Sequence, residues 1–464
     1  MVLVDAVSGR GSTTGTKASC HVVSHLGQRR KQIRPVIPPE RCRSTATRAW
    51  AALLLLVIAA SCSGPPRRTE WERNIPAVRV CIAEGARSVL LATPGRAVIL
   101  IDQDRVPITD STAVTCAIGG GGTIDVHAGR QWVGSGNIVR CWHTEKDRCF
   151  TMSGRRYPDT LCLLASGDGL VLVNTLPLER YLLGVLPNEI GGERTIDDFE
   201  AVKAQAILAR TYAMRKAGVP LARFFDVYAD ARDQVYSGVV AVSDLLKRAV
   251  SETSGDVLEY GGKPAECYYH AVCGGNTEAV SLIWGRSQAK PYLRGVRDAD
   301  DSGDFCRRAP SYRWDETYAR RELEDILRTY LPSYHDSIDA AALRAGGYLL
   351  DIRVVKRMPS GRVADLRIVW GDRRTRRVFA LSGDRIRRVL RRPDGNAPLR
   401  STLFSLDVDR DAARWITRIR IHGGGEGHGI GLCQWGALER SRSGHDASRI
   451  LSSYFPGTRI SKVY

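Results

Sequence analysis

Between Asp197 and Gly218 the chain carries an Ala-rich segment whose apolar spacing narrows what it can fold into. Val202, Ala206, Ala209 and Ala213 recur at intervals of four, three and four, which predicts a helix with a slim stripe of small residues and close neighbours. Such a helix is buried. Asp197 with Glu200 three positions on forms an acidic variant of the capping box at its start, and Gly218 with Pro220 marks its end. Lys203 and Arg210, seven apart, lie roughly 20° from one another around the axis and project from nearly the same face. By residue type that face is a solvated charged edge or a binding edge, in equal measure.

Immediately before this helix, Leu186 to Gly192 reads as a loop, with Glu189 set between Pro187 and the pair Gly191 and Gly192. Glycine there lets the backbone hold the carboxylate at an angle closed to a regular helix, so a functional acid is expected. Two other carboxylates compete. Glu179 sits in LERYLLGVL, whose apolar residues at helical spacing make it a solvated or N-terminal helix charge. Glu193 shares the loop and is the main rival.

Several blocks follow in order: TSGDVLEYGGKPAECYYHAVCGGNTEAV, WGRSQAKPYLRGV, LRSTLF and GHGIGLCQWGAL. Together with Leu178 to Arg210 they resemble the SpoIID/LytB family, stage II sporulation protein D and its amidase-enhancer relatives, over roughly Leu170 to the C-terminus. The resemblance implies a peptidoglycan lytic transglycosylase, with Glu189 as catalytic acid directly after the Pro-Asn pair and Arg210 on the glycan. That motif separates Glu189 from Glu193. The family loop is shorter, so Gly192 to Thr195 is an extension. The amidase-enhancer side of the family implies a different role, a non-catalytic wall-binding partner of an amidase.

Cleaving a glycosidic bond passes through an oxocarbenium-like transition state, and a carboxylic acid must protonate the leaving oxygen. A hydrolase then needs a second carboxylate. A lytic transglycosylase needs one, because the same group, now ionised, takes the proton of the muramic acid 6-hydroxyl as that oxygen closes a 1,6-anhydro ring. Glu189 therefore needs a raised pKa, which burial near Leu186 and Ile190 would supply and a neighbouring cation would oppose. Lys203 and Arg210 are accordingly expected to stay off Glu189. Arg210 is expected instead to make a bidentate pair with the lactyl carboxylate of peptide-stripped glycan, with Lys203 and Gln205 as further substrate contacts.

The glycine-rich stretch Gly423 to Ala437 has neither the Gly-Lys-Ser/Thr ending of a phosphate loop nor the dinucleotide spacing. Substrate contact by His428 and Gln434, with Trp435 as a stacking face, competes there with a plain structural role, and the resemblance favours contact. Neither Gly-x-Ser-x-Gly nor His-Glu-x-x-His occurs. The reaction requires no cofactor. Cys267, His270 and Cys273 are spaced by three and with Cys306 could bind zinc, but they lack paired knuckles, and a Cys273 to Cys306 disulfide is as good a reading. No metal ligand is assigned. Pairing among Cys81, Cys116, Cys141, Cys149 and Cys162 would staple an N-terminal β domain.

Ala49 to Ala60 is an apolar run of about a dozen residues, preceded by Arg41, Arg43 and Arg48 and followed by Ser-Cys, the layout of a secretory signal. Export is expected, with Cys62 a candidate lipidated residue and the only expected tie to a membrane. The net charge of +18 comes without a reading helix, zinc finger or aromatic-basic RNA motif, which points to an anionic cell wall or membrane surface rather than nucleic acid. The expected class is α+β with segregated elements. Residues 1–62 form a leader and 63–165 a β-rich domain that opens with a linker at Gly64 to Arg68. Residues 166–464 form the mixed α+β domain with the substrate cleft: an acid-loop and helix core at 170–298, a helix and strands at 299–400, and the Gly-rich block at 401–464. Within the last domain a helix is expected at Asp315 to Tyr330 and strands at Leu349 to Met358, Ala364 to Trp370 and Arg377 to Leu381.

Overall fold

The computed structural model describes residues 75–464 apart from 110, 168, 218–223, 335–342, 344–345 and 373. The leader, the apolar run, Cys62, the linker at Gly64 to Arg68 and the helix stop at Gly218 and Pro220 lie outside them.

Short strands with alternating burial open the chain. Ser88–Thr93 buries every second residue, the pattern of a strand with one face on a core. Two sheets result, antiparallel except where Val227–Tyr228 lies parallel to Ala77–Ala86, one ordered Arg155–Pro158, Cys149–Met152, Ser88–Thr93, Thr112–Ile118, Ile124–Ala128, Gln131–Gly136. The other centres on Gly169–Pro177, buried along almost its whole length and hydrogen-bonded between Ala77–Ala86 and Thr160–Ser166. This sheet thus continues past residue 165. Val78, Leu161 and Leu172 of these strands share one hydrophobic core with the helices that follow.

Helix α1 spans Leu178–Glu189, α2 Phe199–Ala217 and α3 Asp244–Glu252. The small-residue stripe of α2 is buried throughout: Val202, Ala206, Ala209 and Ala213 are at most 1% exposed. A leucine at Ala206 would overpack that seam by about 1–3 kcal/mol. The cap differs from expectation. A 3-10 turn at Ile196–Asp198 precedes α2, and Asp198 accepts the Thr195 N–H at 3.3 Å, while Glu200 binds Lys203 and the Ala447 N–H.

A second core is built from residues between Trp314 and Ile421. Here the expected helix at Asp315 begins later, because Arg313–Ala319 points Trp314 and Tyr318 inward at a strand's spacing, and α4 runs Arg320–Tyr330. Arg313–Ala319 pairs with Ile416–Gly424, which pairs with Phe404–Arg410. Tyr348–Arg357, Val363–Gly371 and Arg376–Ser382 form the expected three-stranded sheet. The chain then returns to the first core. Leu432–Cys433 lies parallel to Tyr269–His270, helices α5 (Gln434–Arg442) and α6 (Ala447–Tyr454) pack on α2, and Arg459–Lys462 pairs with Asp256–Tyr260. The fold is mixed α+β, with eight α-helical segments among the described residues. None of them is long and apolar enough to cross a membrane. Cys81, Cys116, Cys141 and Cys149 keep their thiols, so the first sheets are held by packing and not by these four as staples.

Candidate active site at the end of helix α1

Glu189 is the last residue of α1, not a loop residue. Pro187 removes one N–H from the helical ladder, yet the turn closes around it: Ile190 N–H reaches Leu186 O at 3.0 Å and the Asn188 side-chain amide donates to Gly184 O at 2.8 Å. Gly191, at φ +94°, then turns the chain away, so the glycine acts two residues beyond the acid and not on the acid itself.

The carboxyl is partly buried. Its Oε1 accepts the Val235 N–H at 3.0 Å, and the Tyr269 hydroxyl also hydrogen-bonds it. Behind Tyr269 the polarity is fixed: Tyr181 donates to Gln234 Oε1 at 3.0 Å, and Gln234 Nε2 donates to the Tyr269 oxygen at 3.0 Å, leaving the Tyr269 proton for Glu189. Burial pushes the Glu189 pKa above the ordinary carboxylate value, and the bonds from Val235 and Tyr269 only partly oppose it. Its position at a helix C-terminus, where the dipole disfavours negative charge, acts in the same direction. Among the described residues no cation pairs with Glu189, and the rival Glu193 is exposed. Tyr181, Gln234, Val235 and Tyr269 were missed by sequence reasoning, although Tyr181 in LERYLLGVL and Tyr269 in AECYYHAV lay in segments already singled out.

Lys203 and Arg210 do share a face, but it packs against α3 rather than lining a cleft. Lys203 Nζ binds Glu200 at 3.0 Å and lies 3.9 Å from Glu252. Arg210 is fully buried. Its Nε and Nη2 grip both oxygens of Glu179 at 2.7 Å, and its remaining donors reach Thr253 Oγ1, Asp256 O and Val250 O. The expected pair with a lactyl carboxylate is therefore replaced by a pair with Glu179, which also accepts the Tyr464 hydroxyl and the Gly255 N–H. Gln205 is likewise fully buried, and Gln434 Nε2 lies 3.5 Å from its Oε1, a clasp between α2 and α5. Neither Arg210 nor Gln205 can touch a substrate in this conformation.

His428 accepts the Ile430 N–H on Nδ1 at 3.0 Å, and burial drives its pKa down to about 4, so the ring is neutral at pH 7. It lies 5.2 Å from Trp284, which is 37% exposed and stands edge-on to Tyr268. Trp435 is half-buried and packs against the first core. The cysteines regroup. Cys267 donates to Leu208 O and His270 Nδ1 faces Ile430 O, whereas Cys273 and Cys306 meet Asp298 and Cys433.

A cavity of about 420 Å³ opens on the second core, lined by Arg313, Trp314, Asp315, Phe404 and His422 among others. Glu189 does not line it, and its acid Asp315 is exposed and bonded to His422.

A family model described as Stage II sporulation protein matches residues 166–260, and a Domain of unknown function (DUF8618) matches 300–431. The second match coincides with most of the second core. An uncharacterized protein of Brachyspira hyodysenteriae is 31% identical over 312 residues, 67% of this chain and 74% of that protein. The Amidase enhancer of Bacillus subtilis is 28% identical over 60% of this chain, and this chain spans only 40% of it. Stage II sporulation protein D of the same organism is 27% identical over 63% of this chain and 76% of its own length.

Proposed function

This chain belongs to the SpoIID/LytB family, and we propose that it serves the cell wall as a peptidoglycan lytic transglycosylase with Glu189 as its acid. A cell-wall role comes with the family; the reaction is our reading. What carries it is the partly buried Glu189 carboxyl, raised by burial and free of any cation among the described residues. A carboxyl whose pKa burial has raised is the better placed to give its proton to the glycosidic oxygen between MurNAc and GlcNAc as the C1–O bond breaks. The resulting carboxylate takes the proton of the muramic 6-hydroxyl while O6 bonds to C1, giving a 1,6-anhydro end and restoring the acid. Val235 N–H and the Tyr269 hydroxyl hold the carboxyl in place and stabilise its ionised form between the two transfers. Tyr181 and Gln234 position Tyr269.

Peptide-stripped glycan is the proposed substrate, but its lactyl carboxylate is not assigned to Arg210, whose fork is taken. His428 and Trp284 are the better candidates for a sugar contact, one as a neutral hydrogen-bonding ring and the other as a half-open aromatic face. Export is the setting this reaction requires, and Cys62 is a candidate for lipid attachment. The likeness to an Amidase enhancer supports a second reading, a wall-bound partner that stimulates an amidase without cleaving glycan.

Digestion of denuded peptidoglycan by wild type and Glu189→Gln, with mass analysis of the ends, separates the readings. Anhydro ends from wild type alone support the proposal. Reducing ends would mean hydrolysis, and intact strands alongside a stimulated amidase would leave the second reading standing.

A further inference from the structure

Away from Glu189, four side chains from four separate segments converge in the interior. They are Cys273, in the turn after Tyr269–His270; Asp298, ahead of a short hairpin; Cys306, in a 3-10 turn; and Cys433, the N-cap of α5. Three sulfurs and a carboxylate oxygen lie within 4.8 Å of one another, and all four residues are buried. We propose that Cys273, Asp298, Cys306 and Cys433 hold one structural zinc ion.

Three features of the surroundings fit a metal better than a bare thiol cluster. The first is a set of backbone N–H groups aimed at sulfur. Cys273 N–H and Gly436 N–H point at Cys433 Sγ at 3.2 and 3.3 Å, and Gly275 N–H points at Cys273 Sγ at 3.3 Å. Such donors favour the thiolate that a metal requires. The second is the division of labour on Asp298. Its Oδ1 is held by the Tyr454 hydroxyl at 2.7 Å and by Arg440 Nε and Nη2 at 3.2 Å, which leaves Oδ2 facing Cys273 Sγ at 3.3 Å. That is how an outer partner orients a ligating carboxylate. The third is charge. Three thiolates and a carboxylate would leave four negative charges buried, and a divalent ion together with Arg440 and Arg362 cancels them. Arg362 is fully buried, donates to Cys273 O at 2.7 Å, and among the described residues has no hydrogen-bond partner at Nε or Nη1.

Gly436 permits the closeness: a Cβ there would come within 2.1 Å of Asp298 Oδ2, so only glycine lets α5 close over the site. Four protein ligands, three of them sulfur, with no open position, make a structural site suited to tetrahedral zinc. A disulfide is the competing chemistry, since Cys273 and Cys306 sulfurs lie 3.5 Å apart. It would leave Cys433 with two N–H donors and Asp298 Oδ2 with nothing to bind.

The site stands apart from the glycan reaction, and its test does not use cleavage. Elemental analysis of the purified wild-type protein is expected to find about one zinc per chain, and cobalt exchange to give the intense sulfur-to-metal absorption of a tetrahedral thiolate site. Asp298→Asn, which keeps the shape, is expected to bind zinc at least about tenfold more weakly, and Cys433→Ser to lose the sulfur-to-cobalt band in part. Metal-free wild type with Cys273 and Cys306 joined in a non-reduced peptide map would overturn the proposal. So would zinc retained at wild-type affinity in both variants.

Discussion

Helix α1 carries a glutamate at each end, and the two have opposite fates. Glu179 lies in the first turn, where the helix dipole favours an anion, and both of its oxygens are gripped by the buried Arg210. Glu189 lies in the last turn, where the dipole disfavours an anion, and among the described residues it is bonded by a backbone N–H and a tyrosine hydroxyl. Residue type is the same; surroundings divide them. The paired carboxylate fastens α1 to α2 and α3, and the unpaired one is left able to hold and release a proton. A cation near a carboxylate marks structure here, and its absence marks chemistry.

The largest expected effect lies on the structural end. Glu179→Gln strands the Arg210 charge in the interior and should lower stability by about 3–5 kcal/mol in denaturant unfolding, with Arg210→Lys close behind because an ammonium cannot reproduce the fork. Adding Arg210→Met to Glu179→Gln should recover much of that loss, which sharpens the contrast into a measured coupling. Next comes pH. Because burial raises Glu189 in the folded state, its protonated form contributes stability that is present below the ordinary carboxylate pKa of 4.5 and is lost as pH rises through the higher folded value. Glu189→Gln should thus match wild type in acid and become the more stable protein toward neutral pH, by about 1.4 kcal/mol for each unit of the shift, read from melting curves across that range. Smaller still is Tyr269→Phe. It removes a bond that favours the carboxylate, so the basic limb of kcat/KM should move to higher pH, by less than about one unit. Least of all is Lys203→Gln, expected within about 0.5 kcal/mol of wild type and without effect on glycan binding, since its ion pair is at the helix surface.

The α2 stripe, the first strands and the strands between Leu349 and Leu381 were legible because burial and spacing act locally there. So was the isolation of Glu189 from Lys203 and Arg210. Three readings failed for physical reasons. Pro187 and the glycines suggested a loop, but Asn188 and Ile190 keep the turn hydrogen-bonded through Glu189. The charged face of α2 looked free because its partners, Glu179 and α3, lie 31 and 40 or more residues away in sequence. The thiol group was misassembled because spacing by three suggested Cys267 and His270, whereas Asp298 and Cys433 come from segments brought in only by the closing of the chain around the second core. Local signals read elements well and long-range partners poorly.

Which end of α1 carries the chemistry is measured directly by parallel single-turnover digestion of stripped glycan by wild type, Glu189→Gln and Glu179→Gln. The prediction is that folded Glu189→Gln forms anhydro ends about 10²- to 10⁴-fold more slowly, while the fraction of Glu179→Gln that remains folded keeps a near wild-type rate. A Glu189→Gln protein that cleaves like wild type, or a folded Glu179→Gln protein that does not cleave, would contradict it.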